Sequence, residues 1–262
     1  MEMILYGEFQ KSLLYNLKVL TLYFRSDVFR YEIIEQVPNI NKLVVRDGSF
    51  KKMFCSQNPN YNVEYSGVLS QLKELRLDSL KELVSIGLDN SWTHPLVRTL
   101  ETFEVIKCSS LETLVACKVA FSNLTYLNVE SCNSLSYLFT SLTAKSLVQL
   151  KRMVIKQCES IEEIVLFMEA DEADEDKIIF PNLNCLNIEY LTNLRRFYRG
   201  SLSFPSLQEL SVTECDKMIT LCTGTLEADK LSQVTVDISE TIPLQTDLHL
   251  TMRKKFLRKV CV

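Results

Sequence analysis

The sequence predicts an α/β repeat solenoid, and two observations carry that prediction. Apolar residues recur at fixed offsets: Leu100, Phe103, Val105 and Cys108 stand at offsets 0, 3, 5 and 8, and Leu124, Leu127, Val129 and Cys132 repeat the spacing. So do Leu150, Met153, Ile155 and Cys158, and later Leu207, Leu210, Val212 and Cys215. Offsets 2 to 6 also alternate between apolar and polar residues, the period-2 pattern of a half-buried strand. The spacing L-x-x-L-x-L-x-x-N/C is that of a leucine-rich repeat. Stacked in parallel, such strands build a curved horseshoe with a parallel β-sheet on its concave face.

The elements follow in order from the register. Repeats start at Leu17, Ile40, Leu72, Leu100, Leu124, Leu150, Leu183, Leu207 and Leu231, with a mean spacing of about 27 residues. That mean falls within the range of roughly 20–29 expected for this repeat. The longer gaps are insertions in loops. Each start opens a short strand at offsets 2 to 6, and offset 8 is where the chain leaves the sheet. There a cysteine is small enough to bury, and its S–H can serve a backbone carbonyl. Apolar residues at offsets 11 and 14, such as Leu111 and Leu114 or Ile161 and Ile164, lie three apart. This spacing predicts short 3₁₀ or irregular helical returns on the convex face. The register is not interrupted by a linker, so 1–262 is expected to form a single domain of about nine repeats. Residues 240–262 would be its C-terminal cap or a basic tail.

Composition narrows the function classes. The chain has 262 residues, 47% of them hydrophobic, and a net charge of −4; that balance argues against a nucleic-acid-binding face. Nine cysteines, several at interior offsets, fit reduced thiols in the cytoplasm or nucleus better than a disulfide framework. The first residues lack a basic region followed by an apolar run, and no apolar stretch of about 18 residues occurs, so neither a signal peptide nor a membrane span is expected. Asn123-Leu124-Thr125 matches a glycosylation acceptor, but Leu124 is a core position of its repeat. An acidic run at 169–176 reads as a solvated insertion, and a basic run at 253–259 as part of the tail.

Chemistry-bearing motifs are missing. The sequence has no phosphate-binding glycine loop, no dinucleotide fingerprint and no nucleophile elbow, and its six glycines are scattered. The cysteines lie one repeat apart with no C-x-x-C pair, and His94 and His249 sit at no ligand spacing, so no metal site is expected. Glu162-Glu163 falls on a return segment and reads as a solvated face. No catalytic residue and no cofactor is expected; a solenoid of this kind binds.

The binding surface follows from the alternation, because the outward residues of successive central strands share the concave face. The candidates for protein contact are Glu104, then Tyr126, Asn128 and Glu130, then Lys151, Arg152 and Lys156, then Glu189 and Tyr190. The basic stripe of Lys151, Arg152 and Lys156 is flanked by Glu130 and Glu189. Strands lie about 4.8 Å apart, so these charges either pair with one another or meet a partner. Tyr126 and Tyr190 offer large contact area at low entropic cost.

Several segments also resemble a known family. Ala120 through Cys132 (AFSNLTYLNVESC), Thr143 through Leu150 with the following Cys158, and Phe204 through Met218 are similar to the leucine-rich repeats of plant coiled-coil nucleotide-binding disease-resistance proteins. The Phe180-Pro181-Asn182-Leu183 restart has the same look. The resemblance implies a role in plant innate immunity, as a module that senses a pathogen effector or a guarded host protein and holds a nucleotide-binding receptor domain inactive. No position here matches that family's nucleotide-binding residues. The alternative is a substrate-recognition adaptor of a ubiquitin ligase, whose leucine-rich repeats share the cysteine at offset 8.

Overall fold

A computed structural model describes residues 14–24, 27–29, 32–54, 69–88, 93–115, 119–168, 177–237 and 240–243. The runs at 169–176 and 253–259, most of the 240–262 cap, His249 and the side chain of His94 lie outside the described residues. In chain order the first strands are β1 (Val19–Tyr23), β2 (Lys42–Arg46), β3 (Glu74–Asp78), β4 (Thr102–Ile106) and β5 (Tyr126–Glu130). Then come β6 (Phe139–Thr140), β7 (Arg152–Lys156), β8 (Val165–Leu166), β9 (Lys177–Ile179) and β10 (Cys185–Glu189). The last are β11 (Ser201–Ser203), β12 (Glu209–Thr213), β13 (Leu226–Glu227), β14 (Gln233–Asp237) and β15 (Glu240–Pro243).

One ten-stranded sheet runs β1-β2-β3-β4-β5-β7-β10-β12-β14-β15, parallel throughout except for the antiparallel β14–β15 pair. Its parallel strands occupy offsets 2 to 6 of their repeats. From β1 to β12 the rows stay in register: Val19, Lys42, Glu74, Thr102, Tyr126, Arg152, Cys185 and Glu209 are successive partners at offset 2. A slip of one residue would turn every leucine of a strand to solvent, so the buried face fixes this alignment.

The interior is the stack of offset residues. Phe103, Val105, Leu127, Val129, Met153, Ile155, Leu186 and Ile188 at offsets 3 and 5 are fully buried, as are Leu100, Leu124, Leu150 and Leu183 at offset 0. Leu111, Leu114, Leu135, Leu138, Ile161 and Ile164 close each coil from the other side. Leu17 departs from the pattern. It is 38% exposed, because it lies beyond the outer side of β1, which has no paired strand among the described residues.

Two further core positions complete each coil. Three residues before the start stand Val37, Leu69, Val97, Phe121, Leu147, Phe180 and Phe204, and at offset 15 stand Val115, Phe139, Val165, Tyr198 and Cys222; all are buried. Aromatic rings link these positions. Phe180 stacks on Phe204 at 5.4 Å between centroids, and Phe197 meets both edge-on at 5.9 Å.

The returns are less helical than the three-residue spacing predicts. The named helices are short: α1 (Glu32–Glu35), α2 (His94–Thr99) and α3 (Ser141–Lys145). In the other described returns the chain is extended and pairs in parallel, through β6–β8, through β9, β11 and β13, and through bridges such as Lys52 to Ser85 to Thr113. Offsets 11 and 14 both point inward because the intervening residues turn, not because a helix spans them.

Seven coils leave the sheet through a strained residue at the same position. Asp47, Ser79, Lys107, Ser131, Gln157, Tyr190 and Glu214 stand at offset 7 and all have φ between 51° and 59°. A non-glycine residue in this left-handed region costs about 1–2 kcal/mol. In six of these coils the N–H at offset 7 donates to the carbonyl at offset 6 of the next one, as Lys107 does to Glu130 at 2.8 Å and Ser131 to Lys156 at 3.0 Å. The ladder thus continues through the bend and holds it.

Asparagines tie the coils at the entry side. The amides of Asn39, Asn123 and Asn182, each one residue before a start, donate to the carbonyls of Tyr15, Arg98 and Val148 in the preceding coil. The cysteines serve the exit side. Cys108, Cys132, Cys158 and Cys215 donate to the carbonyl two residues back, and Cys132 and Cys215 also reach a carbonyl of the preceding coil. A shared thiol hydrogen bond with Cys132, together with burial, pushes the Cys108 and Cys158 thiols up. These side chains hold the turn.

Candidate protein-recognition face

The sheet presents its outward residues in rows, one residue per coil. At offset 2 the central row is Thr102, Tyr126, Arg152, Cys185 and Glu209; at offset 4 it is Glu104, Asn128, Val154, Asn187 and Ser211; at offset 6 it is Ile106, Glu130, Lys156, Glu189 and Thr213. The sequence candidates Glu104, Tyr126, Asn128, Glu130, Arg152, Lys156 and Glu189 therefore share one face. Lys151 stands at offset 1, beside Arg152. Tyr190 sits in the left-handed bend at offset 7, at the rim, and is 41% exposed.

Outward position and exposure do not coincide along the middle row. Val154 and Asn128 point away from the core yet are buried, Asn128 with 9% of its surface exposed. The Asn128 carbonyl oxygen Oδ1 is left without a hydrogen-bond partner, a costly arrangement for a buried acceptor.

The basic stripe divides into two. Lys156 pairs with Glu189 at 2.9 Å, so this part of the stripe is spent on cross-strand pairing. Lys151 and Arg152 are exposed and have no ion pair among the described residues. Tyr126, beside Arg152 in the row, is half-buried. Burial and the nearby Glu104 raise its phenol, while Arg152, Lys156 and Arg76 act in the opposite direction.

On the N-terminal half of the same face several charges pair across the strands. Lys42 pairs with Glu74 at 2.8 Å, Lys73 with Glu101 at 2.7 Å, and Arg76 with Glu104 at 3.5 Å. Asp78, only 4% exposed, receives Arg46 at 3.0 Å and Arg76 at 3.1 Å. Sequence reasoning missed this network, although it had a signal. Lys42 and Glu74 share offset 2, Lys73 and Glu101 offset 1, Arg76 and Glu104 offset 4, and Arg46 and Asp78 offset 6.

Burial works against the charge of Asp78. Hydrogen bonds from Arg76 and Ser79 and the nearby Arg46 and Arg76 guanidinium groups outweigh it and hold the carboxyl below its ordinary range. The folded state therefore releases this proton more readily than the unfolded chain, whose aspartate titrates near 3.9. Its contribution is present above about pH 4 and lost as pH falls through the lower folded-state value. Asp78→Asn is expected to cost about 1–2 kcal/mol at pH 7, since both arginines are partly solvated and the pair is worth less than a fully buried one. Urea denaturation at pH 7 and pH 3 checks this: the gap between wild type and variant should shrink at the lower pH.

The convex face holds a second charged group, and here the sequence expectation is corrected. Glu162 is exposed as expected, but Glu163 is buried between Arg196 at 3.4 Å and Arg199 at 2.8 Å. The parallel bridge between Glu163 and Arg196 carries the carboxylate into the stack, where two arginines compensate it. Among the described residues no group of His, Cys, Asp and Glu side chains is placed to hold a metal ion, and no helix is long and apolar enough to cross a membrane.

Comparison with known proteins agrees with the leucine-rich-repeat fold class. The sequence matches the family of plant disease resistance proteins described as RPS2-like, leucine-rich repeats, over residues 1–122 and 115–239. The chain belongs to this family. It is 26% identical over 188 residues to a probable disease resistance protein of Arabidopsis thaliana; the match covers 59% of this chain and 26% of that protein. This RPS2-like repeat chain thus spans about a quarter of the length of that curated relative. Among solved structures, the leucine-rich repeat domain of the type III effector XopL aligns with a TM-score of 0.45 at 13% identity, covering 84% of this chain and 76% of the other.

Proposed function

We propose that this chain is a non-enzymatic protein-recognition module of plant innate immunity. Its concave face would sense a pathogen effector or a guarded host protein in the cytoplasm. The same repeats would hold a nucleotide-binding receptor domain inactive until that contact is made. What supports the reading is the distribution of charge on one sheet: Lys42, Arg46, Lys73 and Arg76 are held in cross-strand pairs, whereas Lys151 and Arg152 remain exposed beside Tyr126. Solvated, unpaired groups next to a half-buried aromatic are where a partner gains most.

The test combines binding with stability. Tyr126→Ala should leave the melting temperature within the change expected of a surface substitution, about 0.5 kcal/mol. The same variant should lose capture of the effector or guarded protein from infected leaf tissue and change the immune response when expressed with it. Capture of a ubiquitin-ligase scaffold protein instead would favour the adaptor reading.

A further inference from the structure

We propose that the sheet face around Asn128 receives an extended acidic peptide segment of the partner, with a carboxylate at Lys151 and Arg152 and a backbone N–H on the Asn128 carbonyl. This deepens the recognition reading above and rests on it.

Three observations converge on one spot. The first is the charge left over after cross-strand pairing. Lys42, Arg46, Lys73, Arg76 and Lys156 each have a carboxylate within 3.5 Å on a neighbouring strand. Lys151 and Arg152, adjacent at the upstream end of β7, have none among the described residues and are exposed. Glu130 and Glu189 lie at the other end of their strands, four rows away from Arg152. At about 3.3 Å per residue that separation is roughly 13 Å, beyond the Debye length at 0.1 M salt.

The second is the orphaned acceptor. Asn128 is nine-tenths buried, stands outward in the middle row of the sheet, and its Oδ1 has no partner. A buried carbonyl oxygen gains by accepting a hydrogen bond, and an extended peptide offers N–H donors regardless of its side chains. Such a donor must arrive from the concave side, since the opposite face of β5 is filled by Leu127 and Val129.

The third is an apolar neighbour. Val154, the register partner of Asn128, is buried and apolar although it too points outward, and Tyr126 stands beside Arg152 in the next row. This face therefore joins an apolar residue, an unsatisfied acceptor and two unpaired cations within two adjacent strands. A bare inorganic anion would use only the cations. An acidic peptide uses all three.

Fluorescence anisotropy of the full chain with a labelled, C-terminally amidated hexaglutamate peptide tests the assignment. Wild type should bind hexaglutamate and not hexalysine, with affinity falling as salt rises. The exposed double variant Lys151→Glu/Arg152→Glu should weaken binding at least about tenfold, and Asn128→Leu by about threefold. Lys217→Glu, remote on the convex side where Lys217 meets Asn193, should leave binding unchanged. Circular dichroism establishes that each variant is folded; should Asn128→Leu misfold, Asn128→Asp carries the same test and should weaken binding more.

Absence of hexaglutamate binding overturns the proposal, as does an equal loss in Lys217→Glu or full displacement by millimolar inorganic phosphate. If hexaglutamate is ignored while Arg152→Glu still abolishes capture of a defence partner, the acidic-peptide assignment fails and the recognition reading stands. If hexaglutamate binds as described but no defence partner is captured, the acidic-peptide site holds and the immune role fails.

Discussion

Leu127→Asp should unfold several consecutive coils, with a loss of more than about 4 kcal/mol. Leu127 is fully buried on β5, with Phe103 and Met153 as its register partners on either side. A carboxylate there would have no cation within the stack. The cost is either the desolvation of a charge or the protonation of an aspartate far above its ordinary range. In a solenoid each coil is stable only through its neighbours, so damage at β5 should spread to β4 and β7 rather than stay local. Circular dichroism and urea melts check the result. The neighbouring Tyr126→Ala, on the opposite face of the same strand, is the control. Equal damage from the two would mean that the inside and outside of the sheet are misassigned.

Phe180→Ala should cost about 3–5 kcal/mol, the range for truncating a buried phenylalanine. Its ring is stacked on Phe204 and packed edge-on by Phe197, so two consecutive coils share one aromatic cluster. Removing the ring takes away apolar burial and leaves a cavity that a stack of rigid coils closes poorly. Phe180→Leu should recover more than half of the loss, because it restores most of the buried volume without the ring. Thermal melts of the two variants check both statements. A loss below about 1 kcal/mol for the alanine variant would show that the cluster collapses to fill the space.

The repeat and the fold class were legible because they depend on spacing. Leu100, Phe103, Val105 and Cys108 declare their positions by recurring, and the offset 2 to 6 stretch that alternates is the stretch that pairs. Other features depend on what lies one coil away. The core position three residues before eight of the starts holds valine, leucine or phenylalanine, and the gap preceding it varies in length, so it is visible only when counted back from the following start. The left-handed bends were silent. Their residues, Asp47, Ser79, Lys107, Ser131, Gln157, Tyr190 and Glu214, include no glycine, and what holds the first six is a backbone hydrogen bond to the next coil.

The candidate face was legible in outline. Alternation placed Tyr126, Arg152, Glu130 and Lys156 on one side of the sheet. It did not reveal that Asn128 and Val154 are buried, because alternation tells which side of the sheet a residue faces and not how exposed it is. Nor did it decide which charges pair. Glu130 and Glu189 both flank Lys156 in the register, and Lys156 takes Glu189. The helical returns were over-read from a three-residue spacing, which an extended segment with a turn satisfies equally well.

The central claim is that leucine side chains stack coil upon coil, and methyl-labelled NMR tests it most directly. Cross-peaks should join the offset-3 methyl groups of Leu127 to Met153, Met153 to Leu186, and Leu186 to Leu210, following the strand order. Leu127 and Leu210, separated by three strand spacings of about 4.8 Å each, should give none. A Leu127–Leu210 cross-peak, or Leu127 methyls broadened by a soluble paramagnetic agent, would contradict the stack.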